Sequence, residues 1–142
     1  MIRETISNLP VDVAVFSAAV SDWKMKKYSK NKIKKIDNIV INLEKNLDIL
    51  NNISNHNSLR PKLVIGFAAE TENIHSNAKK KLLDKNCDWI IANDVSDETI
   101  GFESNENAVT IFYKNEEKED IKKTTKAHLA NQIVDRILNH LN

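Results

Sequence analysis

The run Leu63-Val64-Ile65-Gly66-Phe67-Ala68-Ala69-Glu70, the polar stretch from Thr71 to Asn86, and Trp89-Ile90-Ile91-Ala92-Asn93 together decide the fold class. Two short apolar runs without polar alternation match strands covered on both faces of a parallel sheet. The segment between them is long enough for one helix. Thr71 is placed to cap its start, and Asn86 suits the left-handed position after its end at about Lys85. Strand, helix and strand at this spacing form a βαβ crossover.

Working outward, Val11 to Val20 is a third nearly continuous apolar run, with Val13, Val15 and Phe16, and reads as a central parallel strand covered on both faces. It ends at Ser21-Asp22-Trp23. Before it, Ile2, Ile6 and Leu9 lie roughly a turn apart and Pro10 closes a short amphipathic helix. Lys24 to Lys35 has no consistent period despite Met25, Tyr28 and Ile33, and reads as a flap-like loop. Ile39, Ile41 and Leu43 then alternate with Val40, Asn42 and Glu44, the period of a half-buried strand. Asn46 is the expected cap of the next helix, with Leu47, Leu50 and Ile53 inward, before a polar break at 55–61. Towards the other end, Val109, Ile111 and Tyr113 alternate with Ala108, Thr110 and Phe112. A polar hairpin brings back Ile121, giving a peripheral antiparallel pair. The last helix is expected to be capped at Thr124 or Thr125 and to present Ala130, Ile133, Val134, Ile137 and Leu141 as its apolar stripe.

The 142 residues show no repeat, low-complexity tract or linker, so residues 1–142 are expected to form one domain. Apolar residues at 41%, charged residues at 29%, and 20 acidic against 21 basic side chains describe a globular protein whose global charge favours neither nucleic acid nor an anionic membrane. A single cysteine, Cys87, makes no internal disulfide, and no leader or long apolar run is present; the expected compartment is the cytoplasm. With two glycines, Gly66 and Gly101, the chain builds neither a GxGxxG turn nor a P-loop.

Ligands of open α/β sheets bind beyond the carboxyl ends of the parallel strands. Three strands here end in Ser21-Asp22-Trp23, Phe67-Ala68-Ala69-Glu70 and Asn93-Asp94. Strand ends are polar wherever loops are wet, so each alone is uninformative. The seven lysines between Lys24 and Lys35, with no acidic residue among them, are read equally well as a solvated face or as a phosphate-binding flap. Lys81 and Lys85 fall on the same side of their helix as Ile74 and Ala78, the side facing the sheet. Either their stems snorkel to water or their ammonium groups reach a buried anion. His56, His75, His128 and His140 have no ligand spacing and read as surface residues, and Cys87 reads as a packed thiol.

Six ordered blocks carry a resemblance. They are Ala18-Ala19-Val20-Ser21-Asp22-Trp23, Lys32-Ile33-Lys34-Lys35, Val64 to Thr71, Lys85-Asn86-Cys87-Asp88, Ala92-Asn93-Asp94-Val95-Ser96 and Gly101-Phe102-Glu103-Ser104-Asn105. In this order the chain resembles phosphopantothenate-cysteine ligase, the C-terminal half of the bacterial bifunctional coenzyme A biosynthesis protein. The resemblance implies a Rossmann-like three-layer α/β fold with a mainly parallel sheet and an antiparallel extension. It also implies a CTP-dependent reaction in which 4'-phosphopantothenate is activated as an acyl-cytidylate and captured by cysteine, with Mg2+ accompanying the triphosphate and a homodimer as the working assembly. Carried over by motif, Phe16, Ser17, Ala18 and Asp22 would contact the nucleotide. Lys32 would be the catalytic flap lysine, Leu47, Asp48, Ile49 and Leu50 a nucleotide-binding turn into a helix, Phe67 a packing surface, and Lys81 and Lys85 further nucleotide ligands.

This sequence departs from the family pattern at Leu47, where proline is usual, at Trp23, where tyrosine is usual, and at Ser21, where alanine is common; no charge is lost. The family's first strand and its Asn-x-Ser-Ser-Gly segment have no counterpart here, so the expected fold is N-terminally truncated, and the flavin half with its FMN is not expected. Two further readings stand beside the ligase. One is a truncated or split-gene remnant that keeps the fold and nucleotide site but needs a separate N-terminal fragment to catalyse; the other is a binding module without turnover.

Overall fold

A computed structural model describes residues 1–27, 40–94 and 104–142. The order of elements is α1 (Ile2–Ser7), β1 (Val13–Phe16), β2 (Trp23–Met25), β3 (Leu43–Lys45), α2 (Ile49–Ser54), β4 (Leu63–Glu70), α3 (Ile74–Lys85), β5 (Trp89–Asp94), β6 (Glu106–Tyr113), β7 (Lys118–Thr125) and α4 (Lys126–Leu141). Five strands form one sheet in the order β1-β4-β5-β6-β7. β1, β4 and β5 run parallel, and β6 and β7 extend the sheet antiparallel, as the alternation at 108–113 predicts.

Side-chain alternation in β4 builds the three layers. Leu63 and Ile65 point to one face, where Trp89, Ile91, Val109, Ile111 and Ile121 meet Leu129 and Ile133 of α4. Val64 and Ala68 point to the other, packing with Ile90, Ala92 and Phe112 against Ala78 and Leu82 of α3 and Leu50 of α2. β4 and β5 are buried on both faces, which is why their sequences lack polar alternation. Below the sheet, Arg60 donates to the carbonyls of Ser54, Pro61 and Asn86 and forks onto Asp88, which also accepts from the Val64 amide at 2.7 Å. This knot fixes the ends of α2 and α3 against the sheet.

Several expectations are corrected. Among the described residues β1 pairs only with β4 and lies at the sheet edge rather than the centre; Val15 is 46% exposed, so its apolar run is covered on fewer sides than the sequence implies. The stretch after Asp22 is not loop from its start, because Trp23–Met25 pairs antiparallel with Leu43–Lys45 in a separate ribbon. The half-buried strand expected from Ile39 to Glu44 is, among the described residues, only β3 at Leu43–Lys45, and Ile41 and Leu43 are 61% and 53% exposed, since the ribbon lies outside the main sheet. Ile39, Lys32 and the rest of residues 28–39 lie outside the described residues, as do 95–103.

Asp48, not Asn46, caps α2, its carboxylate accepting from the Asn51 amide, and Leu47 is exposed whereas Leu50 and Ile53 turn inward as expected. α3 starts at Ile74 behind Asn73, which adopts a left-handed φ of 50° and makes no side-chain cap, so Thr71 does not cap it; Asn86 ends it in the expected left-handed conformation. Thr125 caps α4, but its buried stripe is Leu129, Ile133 and half-buried Ile137, leaving Ala130, Val134 and Leu141 towards solvent. Leu129, Ile133 and Ile137 recur every four residues, so they form a single ridge along the helix.

Candidate functional site

A pocket of about 470 Å³ opens at the carboxyl ends of β1 and β4, between the turn into α2 and the start of the ribbon. Its size is that of an ordinary small-molecule site. Its apolar wall comes from Phe16, Leu47, Ile49, Leu50 and Phe67, and its polar groups from Ser17, Ser21, Asp22, Asn46, Asp48 and Lys85. The position follows from the topology. β1 stops at Phe16, the chain turns away at Ser17-Ala18, and it comes back beside the same strand end at Asn46 to Leu50 after the ribbon.

The walls are held by specific contacts. Asp48 caps α2 with one carboxylate oxygen, accepting from the Asn51 amide at 2.9 Å, and ion-pairs with Lys85 of α3 through the other. The Asn46 side chain donates to the Ser21 carbonyl at 2.7 Å, while its backbone amide donates to the Asp22 carbonyl at 2.8 Å. Trp23 packs under the Lys45 ammonium, 5.9 Å from the ring centroid. Gly66 lets α2 approach β4, since a Cβ there would lie 2.5 Å from Leu50 Cδ2.

Of the residues that the resemblance implies for the nucleotide, Phe16, Ser17, Ala18, Asp22, Leu47, Asp48, Ile49, Leu50, Phe67 and Lys85 all line this one pocket. Lys81 does not; it pairs with Glu70 at 2.6 Å, and the Glu70 carboxylate, only 12% exposed, also accepts from Asn77 at 3.1 Å. Lys32 lies outside the described residues. Helical phase correctly turned Lys81 and Lys85 inward, and the anions they reach here are the chain's own carboxylates, Glu70 and Asp48. Asn93 and Asp94 extend β5 beside the end of β4, and Asn93 does not line the pocket. Asn46 was expected as a helix cap; its contact with Ser21 joins positions 25 residues apart, and local sequence carries no signal for it.

Cys87 is buried, and desolvation pushes its thiol up to about 11, consistent with packing rather than nucleophilic chemistry. His75 and His140 stand edge-on to Phe112 and Trp89, and His56 Nδ1 accepts from the Leu59 amide at 3.1 Å. Among the described residues no cluster of three or more His, Cys, Asp or Glu is placed to hold a metal, and no helix is long and apolar enough to cross a membrane.

Residues 1–141 match the model of the DNA/pantothenate metabolism flavoprotein C-terminal domain. The chain belongs to this family. The Haemophilus influenzae coenzyme A biosynthesis bifunctional protein CoaBC is 42% identical over 122 residues, 85% of this chain and 30% of that protein. The Bacillus subtilis protein of the same name is 35% identical over 127 residues, 89% of this chain and 31% of that protein. The chain thus spans about a third of the length of these curated relatives. Within the family, a crystal structure of the C-terminal domain of coenzyme A biosynthesis bifunctional protein CoaBC superposes with a TM-score of 0.72 at 33% identity, covering 99% of this chain and 59% of that one. A Streptococcus pneumoniae DNA/pantothenate metabolism flavoprotein shares the fold, with a TM-score of 0.68 at 20% identity.

Proposed function

We propose that this chain binds CTP in the pocket beside β1 and serves in coenzyme A biosynthesis as phosphopantothenate-cysteine ligase, in the cytoplasm. One observation carries the reading: ten residues that the resemblance implies for the nucleotide, from five separated segments, line a single pocket. Phe16, Leu50 and Phe67 offer apolar surface to the base and sugar. Asp22 supplies acceptor oxygens that match the exocyclic amine of cytosine, a donor, and Lys85, the lysine that lines the pocket among the described residues, would turn from Asp48 to phosphate.

In the reaction this reading entails, a carboxylate oxygen of 4'-phosphopantothenate attacks the α-phosphorus of CTP and pyrophosphate leaves. The cysteine amine then attacks the acyl carbon, loses a proton, and CMP leaves. Activation is required because a free carboxylate is a poor electrophile. Mg2+ is usually held by one or two carboxylates together with substrate phosphates rather than by a dedicated cage. Asp48, at the pocket wall beside Lys85, is a carboxylate of that kind on the phosphate side, and the ion would offset triphosphate charge. Lys32 is assigned the flap role on resemblance.

The assembly we assign is a homodimer. Trp23, Met25 and Leu43 share one face of the ribbon and are each at least half exposed, and Ile41 just before β3 is exposed too, an apolar surface that a second copy would cover. The test is to incubate the purified chain with CTP, magnesium, 4'-phosphopantothenate and cysteine and to follow pyrophosphate. Release that requires 4'-phosphopantothenate is expected, and Lys32→Ala abolishes it without unfolding the chain. CTP binding without release points to a nucleotide-binding module, and absence of CTP binding rejects the reading.

A further inference from the structure

Among the described residues the β2–β3 ribbon pairs with itself and with no strand of the main sheet, so its placement depends on its base. Asp22 immediately precedes β2, and Asn46 immediately follows β3. At this base Asn46 makes two bonds to the opposite strand: its side-chain amide to the Ser21 carbonyl at 2.7 Å and its backbone amide to the Asp22 carbonyl at 2.8 Å. Two residues further on, Asp48 caps α2 and engages Lys85. Asn46 therefore joins the Ser21-Asp22 wall of the pocket to the α2 wall, and it lines the pocket itself.

We propose that Asn46 is a positioning residue for nucleotide binding, holding Asp22 at a fixed place relative to Asp48, Leu50 and Lys85; the inference rests on the CTP reading. The side-chain bond is solvent-exposed, so its contribution to global stability is small, whereas among the described residues the wall is otherwise tied across the ribbon base by the Asn46 backbone bond and the ribbon ladder. Pre-organised walls bind more tightly because the ligand does not bear the cost of ordering them.

The test compares the wild-type chain with Asn46→Ala and Asn46→Asp, the latter close in shape but without the donor. CTP with magnesium is titrated by calorimetry at 25 °C, and stability is measured by urea unfolding. A Trp89→Phe background leaves Trp23, next to Asp22, as the sole indole reporter. The expected result is a roughly tenfold weaker CTP dissociation constant in both variants, lower Trp23 anisotropy and nearly unchanged urea midpoints. If the wild type binds CTP and both variants bind within twofold of it, the positioning role is overturned. It is equally overturned if affinity falls only in proportion to the unfolded fraction or Trp23 anisotropy does not change. Failure of the wild type to bind CTP instead overturns the reading on which the proposal rests.

Discussion

Replacing Gly66 by alanine tests how the pocket is built. A Cβ at this position would lie 2.5 Å from Leu50 Cδ2 and 2.9 Å from Ile90 Cδ1, both too close, so one side chain must yield. Ile90 is buried in the core between α3 and the sheet, where displacement disturbs close packing. Leu50 is only half-buried and lines the pocket, so it is the group that moves, and the space open to it is the pocket itself. Overpacking a core costs about 1–3 kcal/mol, and the flexible end of Leu50 puts this case near ~1 kcal/mol. For a domain of this size that lowers the melting temperature by about 3 °C. Because Leu50 then occupies ligand space, CTP affinity should fall by about tenfold, more than the stability loss alone explains. Urea unfolding and calorimetric CTP titration on the same preparation separate the two effects. A stability loss above about 3 kcal/mol with unchanged CTP affinity would show that Ile90 and the core yield instead, and would refute this account of the wall.

Other perturbations probe single contacts. Asp48→Asn keeps a good helix cap and should leave stability within a few tenths of a kcal/mol, whereas Asp48→Ala loses the cap and should cost about 1 kcal/mol by urea unfolding. The Arg136 guanidinium, donating to Glu119 through Nε at 2.9 Å, holds that carboxyl below its ordinary value. Its stabilising effect is therefore present above the ordinary carboxylate range and lost as pH falls through the lowered value. Glu119→Gln should flatten this acid limb by less than about 1 kcal/mol, the side chain being 42% exposed. Burial, aided by Glu119, pushes Tyr113 up to about 12 from 10.0, so the unfolded chain releases its proton first and stability should fall as pH rises between these values. Tyr113→Phe should remove that alkaline dependence in pH-resolved urea unfolding. Leu43→Lys, on the exposed ribbon face, should turn the proposed homodimer into a folded monomer by sedimentation; a wild-type monomer at all concentrations would reject that surface.

The parts of the molecule legible in sequence are those where one constraint dominates. β4 and β5 are covered on both faces, so their uninterrupted apolar runs have one reading, and helical phase alone turned Lys81 and Lys85 inward. Legibility ends where three-dimensional neighbours decide. β1 has the composition of a central strand, yet its position in the order depends on which strands pair with it. Asn46 and Asp48 are both good caps by type, and the choice falls to Asp48 because Asn46 is engaged with Ser21. In α4 the ridge Leu129, Ile133 and Ile137 adjoins a second apolar row, Ala130, Val134 and Leu138, so periodicity does not fix which one meets the sheet. The resemblance brought distant segments to one site residue by residue. The counter-charges on Lys81 and Lys85 are separated from them in sequence, and only the fold makes them neighbours.

The most direct test of the central claim is a titration of the isotope-labelled chain with CTP and magnesium, followed by amide chemical shifts. The account predicts saturable shifts at Phe16 to Ala18, Asp22, Leu47 to Leu50, Phe67 and Lys85. Shifts confined to other surfaces, or none at millimolar CTP, would contradict it.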